Sequence, residues 1–166
     1  MTSSDTVSAR LQFDAAIAAA TTAEAAFGAL QELARQIVGA KLFTVMEVDM
    51  EAEVARRSYT SDPESYPASG TKPIRYDRWF DIVHKERQLF VANTIEDIST
   101  VFPDYELIDS LGCQSVVNLP VVLAGELVGT VNMLDVEHHY APERVEAIKR
   151  EISIPAKLAL LIAQRA

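Results

Sequence analysis

Apolar residues recur at helical spacing at both ends of this chain and in strand-like runs between them. Residues 8–20 predict a first helix, with Leu11, Phe13 and Ile17 set among alanines. Thr21 and Glu24 stand three apart, hydroxyl before carboxylate, the spacing of a capping box that opens a second helix. That helix runs to about Val38, with Phe27, Leu30, Ala34 and Ile37 on one apolar face. Gly39 is its expected stop, because glycine takes the left-handed conformation without strain. At the other end, Val145, Ile148, Ile152, Ala156, Ala159 and Ala163 form the stripe of a closing helix that starts at Pro142. Pro155 inside it predicts a kink. Residues 1–7 show no such pattern and read as a flexible tail ahead of a single domain over residues 8–166.

The interior reads differently. Lys41–Asp49 is apolar on both faces and predicts a central strand. Val54–Thr60 predicts an edge strand, because Arg56 and Arg57 would discourage further pairing. The middle segment, from Tyr59 to Gly112, breaks the regular pattern. Pro63, Pro67, Gly70 and Pro73 predict a long loop, Arg75–Arg87 a helix and Leu89–Ala92 a short strand. Asn93–Pro103 reads as irregular, and Asp104–Leu111 as a short helix ended by Gly112. Eight of the chain's aromatic residues lie in this segment, so it carries its own apolar packing surface rather than being a linker.

Two β-branched runs around Ala124-Gly125 predict a β-hairpin over Leu111–Glu137. Alanine disfavours the positive φ that a two-residue type I′ turn requires at its first position, so a type I turn with Gly125 left-handed is expected. One face then carries Val116, Asn118, Pro120 and Val122 from the first strand. It continues with Val128, Thr130, Asn132 and Leu134 from the second. The opposite face, with Val117, Leu119, Val121, Leu123, Leu127, Val131 and Met133, is wholly apolar and should pack on the terminal helices.

Composition narrows the class. The chain has 166 residues, 49% of them hydrophobic, enough for one cored domain. A net charge of -9 argues against nucleic acid, since phosphates would be repelled. No apolar run approaches the roughly 18 residues of a membrane span, and no signal peptide is visible, so a soluble cytoplasmic protein is expected. Cys113 is the single cysteine, which rules out an internal disulfide.

The order of these elements, with Ser115…Asn118-Leu119-Pro120-Val121, Gly125-Glu126-Leu127-Val128-Gly129-Thr130 and Asn132-Met133-Leu134, resembles the GAF domain, a small-molecule-sensing fold related to PAS. The resemblance covers about residues 20–165. It implies an α+β fold with a central antiparallel sheet of five or six strands. Terminal helices would lie on one face, and the long middle segment would cover a ligand pocket on the other. It also implies dimerisation through the terminal helices. The Asn-Lys-Phe-Asp-Glu motif of cyclic-nucleotide-binding members is absent.

Polar groups on a covered sheet face need partners, and a small-molecule ligand under the cover would supply them. Asn118, Thr130 and Asn132 from the sheet, with Trp79, Phe80, Phe102 and Tyr105 from the cover, are the candidate lining. The competing reading has the asparagines bonding loop backbone and the aromatics serving as core. Lys72, Arg75, Arg78, Lys85 and Arg87 outnumber the nearby acids, which would suit an anionic ligand or simply form a solvated face. Cys113 is a redox candidate, through a relationship to the free methionine-sulfoxide reductases; its ordinary role is a small buried hydrophobe. His138 and His139 fit no zinc spacing, and no catalytic residues, metal or cofactor are expected. The expected function is a sensory domain that binds an unidentified ligand, signals to a separate partner protein and forms a homodimer. A thiol enzyme and a ligand-free interaction module are the alternatives.

Overall fold

The computed structural model describes residues 2–166. Helix α1 spans Ser3–Ala19, so the expected flexible tail is helical over residues 3–7; Met1 lies outside the described residues. Its start is fixed by a capping box: the Thr2 hydroxyl accepts from the Asp5 amide while the Asp5 carboxylate accepts from the Thr2 amide. Helix α2 spans Ala23–Ile37, and its cap is Thr22, one residue later than the box read from Thr21 and Glu24. The Thr22 hydroxyl accepts from the Ala25 amide at 3.1 Å. Gly39, at φ +82, ends α2 with its amide on the Ala34 carbonyl, as expected.

Strands β1 (Leu42–Asp49) and β2 (Val54–Thr60), then β3 (Lys72–Pro73), β4 (Phe90–Ala92), β5 (Ser115–Leu123) and β6 (Glu126–Asp135), form one antiparallel sheet. Its order is β3-β2-β1-β6-β5-β4. The fold class is thus the α+β architecture expected, with six strands. β2 is not the edge: β3 adds two pairs beyond it, Val54 with Pro73 and Ala55 with Lys72. The Ser69 amide and hydroxyl also bond the Arg57 backbone there.

The hairpin turn differs from expectation. Leu123 pairs directly with Glu126, and both Ala124 (φ +52) and Gly125 (φ +80) are left-handed, as in a type I′ turn. The right-handed twist of the paired strands favours that turn over a type I, and it outweighs alanine's steric cost. A bulge between Val121 and Val122 leaves Val128 unpaired, and Val128 packs towards the helices rather than on the predicted opposite face. From Val116 to Val121 the predicted alternation holds, with Asn118 opposite Asn132 and Leu119 opposite Val131.

Two apolar clusters result, one on each face. On one side, Phe43, Val45, Val117, Leu119, Val131 and Met133 pack under the terminal helices. There α2 lies against both α1 and α7. The predicted closing helix is two: α6 (Pro142–Glu151) and α7 (Ser153–Arg165), meeting at Ile152. Pro155 has no N–H to offer the Glu151 carbonyl, which accounts for a break one turn upstream. Arg10 on α1 braces this junction through two hydrogen bonds to the buried Glu151 carboxylate. The pair, aided by Arg150, holds the Glu151 carboxyl below the ordinary glutamate range.

The middle segment covers the other face. Its helix is shorter than predicted: α3 (Arg78–Phe80) runs into a wider π-helical turn over Asp81–Lys85. The stretch read as irregular holds α4 (Ile95–Ser99), capped by the Thr94 hydroxyl, and α5 (Tyr105–Ser110) follows. Val83, Ile98 and Ile108 from these turns bury themselves against Leu42, Val116 and Leu134 of the sheet.

Gly129 sits where β6 passes closest to β1. A Cβ there would lie 2.4 Å from the Met46 carbonyl oxygen, a backbone atom that cannot swing aside. Gly129→Ala is therefore expected to destabilise the fold by about 1–3 kcal/mol, read as a lowered urea midpoint.

Candidate functional site

Between the sheet and its cover lies a cavity of about 230 Å3. Its floor comes from alternate residues of β5, β6 and β1, which the strand period of two brings to one face. Val116, Leu134 and Met46 make that floor apolar, and Val101, Phe102 and Ile108 roof it.

A polar row crosses this apolar floor. Asn118 stands opposite Asn132 on β6, and Asn132 stands opposite Thr44 on β1. The Trp79 indole N–H donates to Asn118 Oδ1 at 2.8 Å, and Asn118 Nδ2 donates to Asn132 Oδ1 at 2.7 Å. Asn132 Nδ2 then donates to Thr44 Oγ1 at 3.1 Å. The amides bond no loop backbone among the described residues. They bond one another, and they tie the cover to the sheet through Trp79. Each amide thus has its oxygen and one N–H partnered within the protein.

Thr130 is different. Its hydroxyl is fully buried and has no hydrogen-bond partner among the described residues. His84 Nδ1 is also buried and unpartnered, and both residues line the cavity. Burial pulls the His84 imidazole below its ordinary value, with Asp77 opposing, so the ring is neutral at pH 7. Such groups cost free energy unless something bonds them.

Of the expected lining, Asn118, Thr130, Asn132, Trp79 and Phe102 meet at the cavity. Phe80 and Tyr105 are not part of its wall. Phe80 packs edge-on to Tyr76 and beside His84, and Tyr105 rests against the cover-side cluster. Helical position decides this: Phe80 follows Trp79 by one residue, about 100° round the turn.

Sequence reasoning missed Arg57, Tyr66, His84 and Thr44. Thr44 was legible in principle, since it occupies the covered face of a predicted central strand. Arg57 and Tyr66 were not, because a loop brings Tyr66 back over β2. The Arg57 guanidinium stacks 3.7 Å above the Tyr66 ring, and Tyr66 donates to Asp104 at 2.7 Å. Of the five cations noted in the middle segment, only Lys72 and Arg75 reach the cavity wall.

Cys113 lies outside the cavity wall, fully buried in the cover-side cluster. Burial and the nearby Asp135 push its thiol up to about 11, so it is protonated at neutral pH. His139 Nε2 lies 2.7 Å from the Val38 carbonyl, joining the end of α2 to the loop after β6. No group of three or more His, Cys, Asp or Glu placed to hold a metal occurs among the described residues.

Solved structures share this arrangement. A GAF domain from a GAF/HD protein of Geobacter sulfurreducens aligns with TM-score 0.69 at 13% identity, over 89% of this chain and 98% of its own. The chain has the GAF fold. A GAF domain from a phosphoenolpyruvate-protein phosphotransferase of Coxiella burnetii aligns with TM-score 0.68 at 17% identity, over 99% and 96%. A phycoerythrobilin-bound GAF domain of a cyanobacterial phytochrome gives 0.68 at 15%, over 98% and 97%. No family model matches the sequence, and no curated protein matches it. At these identities the likeness carries the fold. None of the helices among the described residues of this GAF fold is long and apolar enough to cross a membrane.

Two outcomes follow from the site. Asn118→Leu strands the Trp79 N–H and the Asn132 carbonyl, so it is expected to cost about 1–3 kcal/mol. Trp79 is the only tryptophan, and its emission spectrum should shift in the same variant. Iodoacetamide should label Cys113 in the native protein at least about a hundredfold more slowly than in urea, because thiolate is scarce and access is closed.

Proposed function

We propose that this GAF domain is a sensor that binds a compact small molecule between sheet and cover and passes the event to a separate protein. The observation that carries the reading is Thr130: a buried hydroxyl with no partner, in the wall of an apolar cavity. Ligand pockets have this composition, mostly apolar with a few placed polar groups. A hydroxyl that served the fold would bond a neighbour.

The polar row supplies the means of transmission. Trp79 belongs to the cover and Asn118 to the sheet, so an occupant beside their hydrogen bond favours one placement of the cover over another. The terminal helices offer a surface for the response. Val7 and Leu11 on α1, and Ile154, Leu158 and Leu161 on α7, are exposed apolar residues, and a second copy of the chain is the proposed occupant of that surface. α7 packs on β5 and β6 at the sheet face opposite the cavity, and α1 packs on α2, which lies against α7, so strain in β5 and β6 reaches α7 directly and α1 through α2.

Native mass spectrometry tests both parts at once. The expected result is a dimer carrying extra non-covalent mass that disappears on denaturation. Thr130→Val should lose that mass while keeping or slightly raising thermal stability, because an isosteric apolar group removes an unsatisfied hydroxyl. A native protein with no added mass, together with a clearly destabilised Thr130→Val, would show that the hydroxyl serves the fold and that the sensor reading is wrong.

A further inference from the structure

The cavity's charge is unlike that of the chain around it. The protein carries a net charge of -9, yet Arg56, Arg57, Lys72 and Arg75 line this cavity against a single carboxylate, Asp77. Arg75 lies 3.9 Å from Asp77. Arg56, next to Arg57 on β2, is paired with Glu47 at 3.0 Å. Arg57 has no carboxylate partner among the described residues. Its guanidinium makes one side-chain hydrogen bond, from Nη1 to the Pro67 carbonyl at 2.8 Å, and otherwise stacks on the Tyr66 ring.

That is an unusual state for a half-buried arginine. A guanidinium has five N–H donors in a planar fork, and the stacked face holds the fork in a fixed plane. Four donors are left, at the wall of a cavity where water is partly excluded and charge pairing is strengthened. Partly buried cations without counter-charges are costly, and a bound anion removes the cost. The strand register adds direction. Thr130 on β6 pairs with Met46 on β1, and Met46 pairs with Arg57 on β2. One row of the sheet therefore runs from the unpartnered hydroxyl across an apolar side chain to the unpaired cation. Its length is two strand spacings, roughly 10 Å.

We infer that the occupant is a compact, largely apolar anion. Its carboxylate or phosphate head pairs with Arg57 at the β2 side, its body lies over Met46, and a hydrogen-bonding group at its far end meets Thr130. Lys72 and Arg75, both exposed, draw the anion to the opening rather than hold it. At about 230 Å3 the cavity lies below the ~300–1,000 Å3 of pockets for drug-sized ligands, which sets the compact size. This inference rests on the ligand-sensing reading above and specifies the ligand's charge.

Matched probes decide it. Phenylacetate and 4-hydroxyphenylacetate would be titrated beside their neutral amides, with phenyl phosphate as the other head, using Trp79 emission and thermal shift. The acids should bind roughly tenfold or more tightly than the amides, the margin of a charge-assisted pair. Arg57→Met should erase that margin while leaving amide binding unchanged, and Arg57→Lys should restore part of it. Since Arg57 also braces the Tyr66 loop, Lys72→Met/Arg75→Gln provides a second variant on exposed positions. It should slow acid binding and flatten its salt dependence without changing amide binding. Dependence on Arg57 for either head supports the inference, and the tighter one identifies the head. Equal binding of acids and amides, or a preference that survives Arg57→Met with the fold intact, overturns the anion and leaves the cavity as a neutral-ligand site. No binding by any probe, charged or neutral, overturns the anion and the sensor reading together.

Discussion

The register of β5 against β6, and of β6 against β1, is the constraint on which this molecule depends. Both faces of the sheet are covered, so a slip of one residue would turn every side chain to the wrong side. Asn118 and Asn132 would then enter the helix-side core, and Val117 and Met133 would meet the cavity. Three local features pin the alignment. The Ala124-Gly125 turn fixes the end of the hairpin, the bulge at Val128 absorbs one residue, and Gly129 lets β1 approach. The polar row from Asn118 through Asn132 to Thr44 forms only in this alignment, because each member must stand directly opposite the next.

The two faces of the sheet differ in kind. The helix side is mainly apolar, filled by Phe27, Leu30, Ile148 and Leu160, with small alanines allowing close approach. Such packing favours a single rigid arrangement. The cover side is built from short turns: a three-residue helix, a π-helical turn, a five-residue helix and a six-residue helix. Few of their backbone bonds are repeated in a long ladder, and several depend on single caps such as Thr94 and Asp77. A cover made this way can shift without unfolding the sheet beneath it.

Much of the architecture was legible because it follows from local rules. The stripe of Phe27, Leu30 and Ala34, the stop at Gly39 and the alternation from Val116 to Val121 each need only neighbours in sequence. The turn type was misread for the same reason. Alanine's steric preference is local, whereas the strand twist that overrides it belongs to the paired hairpin. The alanine-rich pattern points to a start of α1 near residue 8, whereas the Thr2–Asp5 capping box sets it at Ser3. Asn118, Thr130, Asn132, Trp79 and Phe102 were legible as cavity residues once the hairpin faces were assigned. Phe80 and Tyr105 were not separable from them, since aromatic content says nothing of which way a short helix is turned.

The sequence by itself determined which side chains share a face, because strand and helix periods are properties of the backbone. It also determined that one covered face would hold amides and a hydroxyl. Only the tertiary structure decided how those groups are used. It satisfied the two asparagines with each other and with Trp79, thirty-nine residues away from Asn118, and left Thr130 unpartnered. It folded Tyr66 back over β2 so that Arg57, an ordinary strand charge by its surroundings in sequence, became a stacked and unpaired cation at a cavity wall. Hydrogen-bond partners and counter-charges are long-range facts: they depend on which distant segments close over a strand, and no local pattern encodes that.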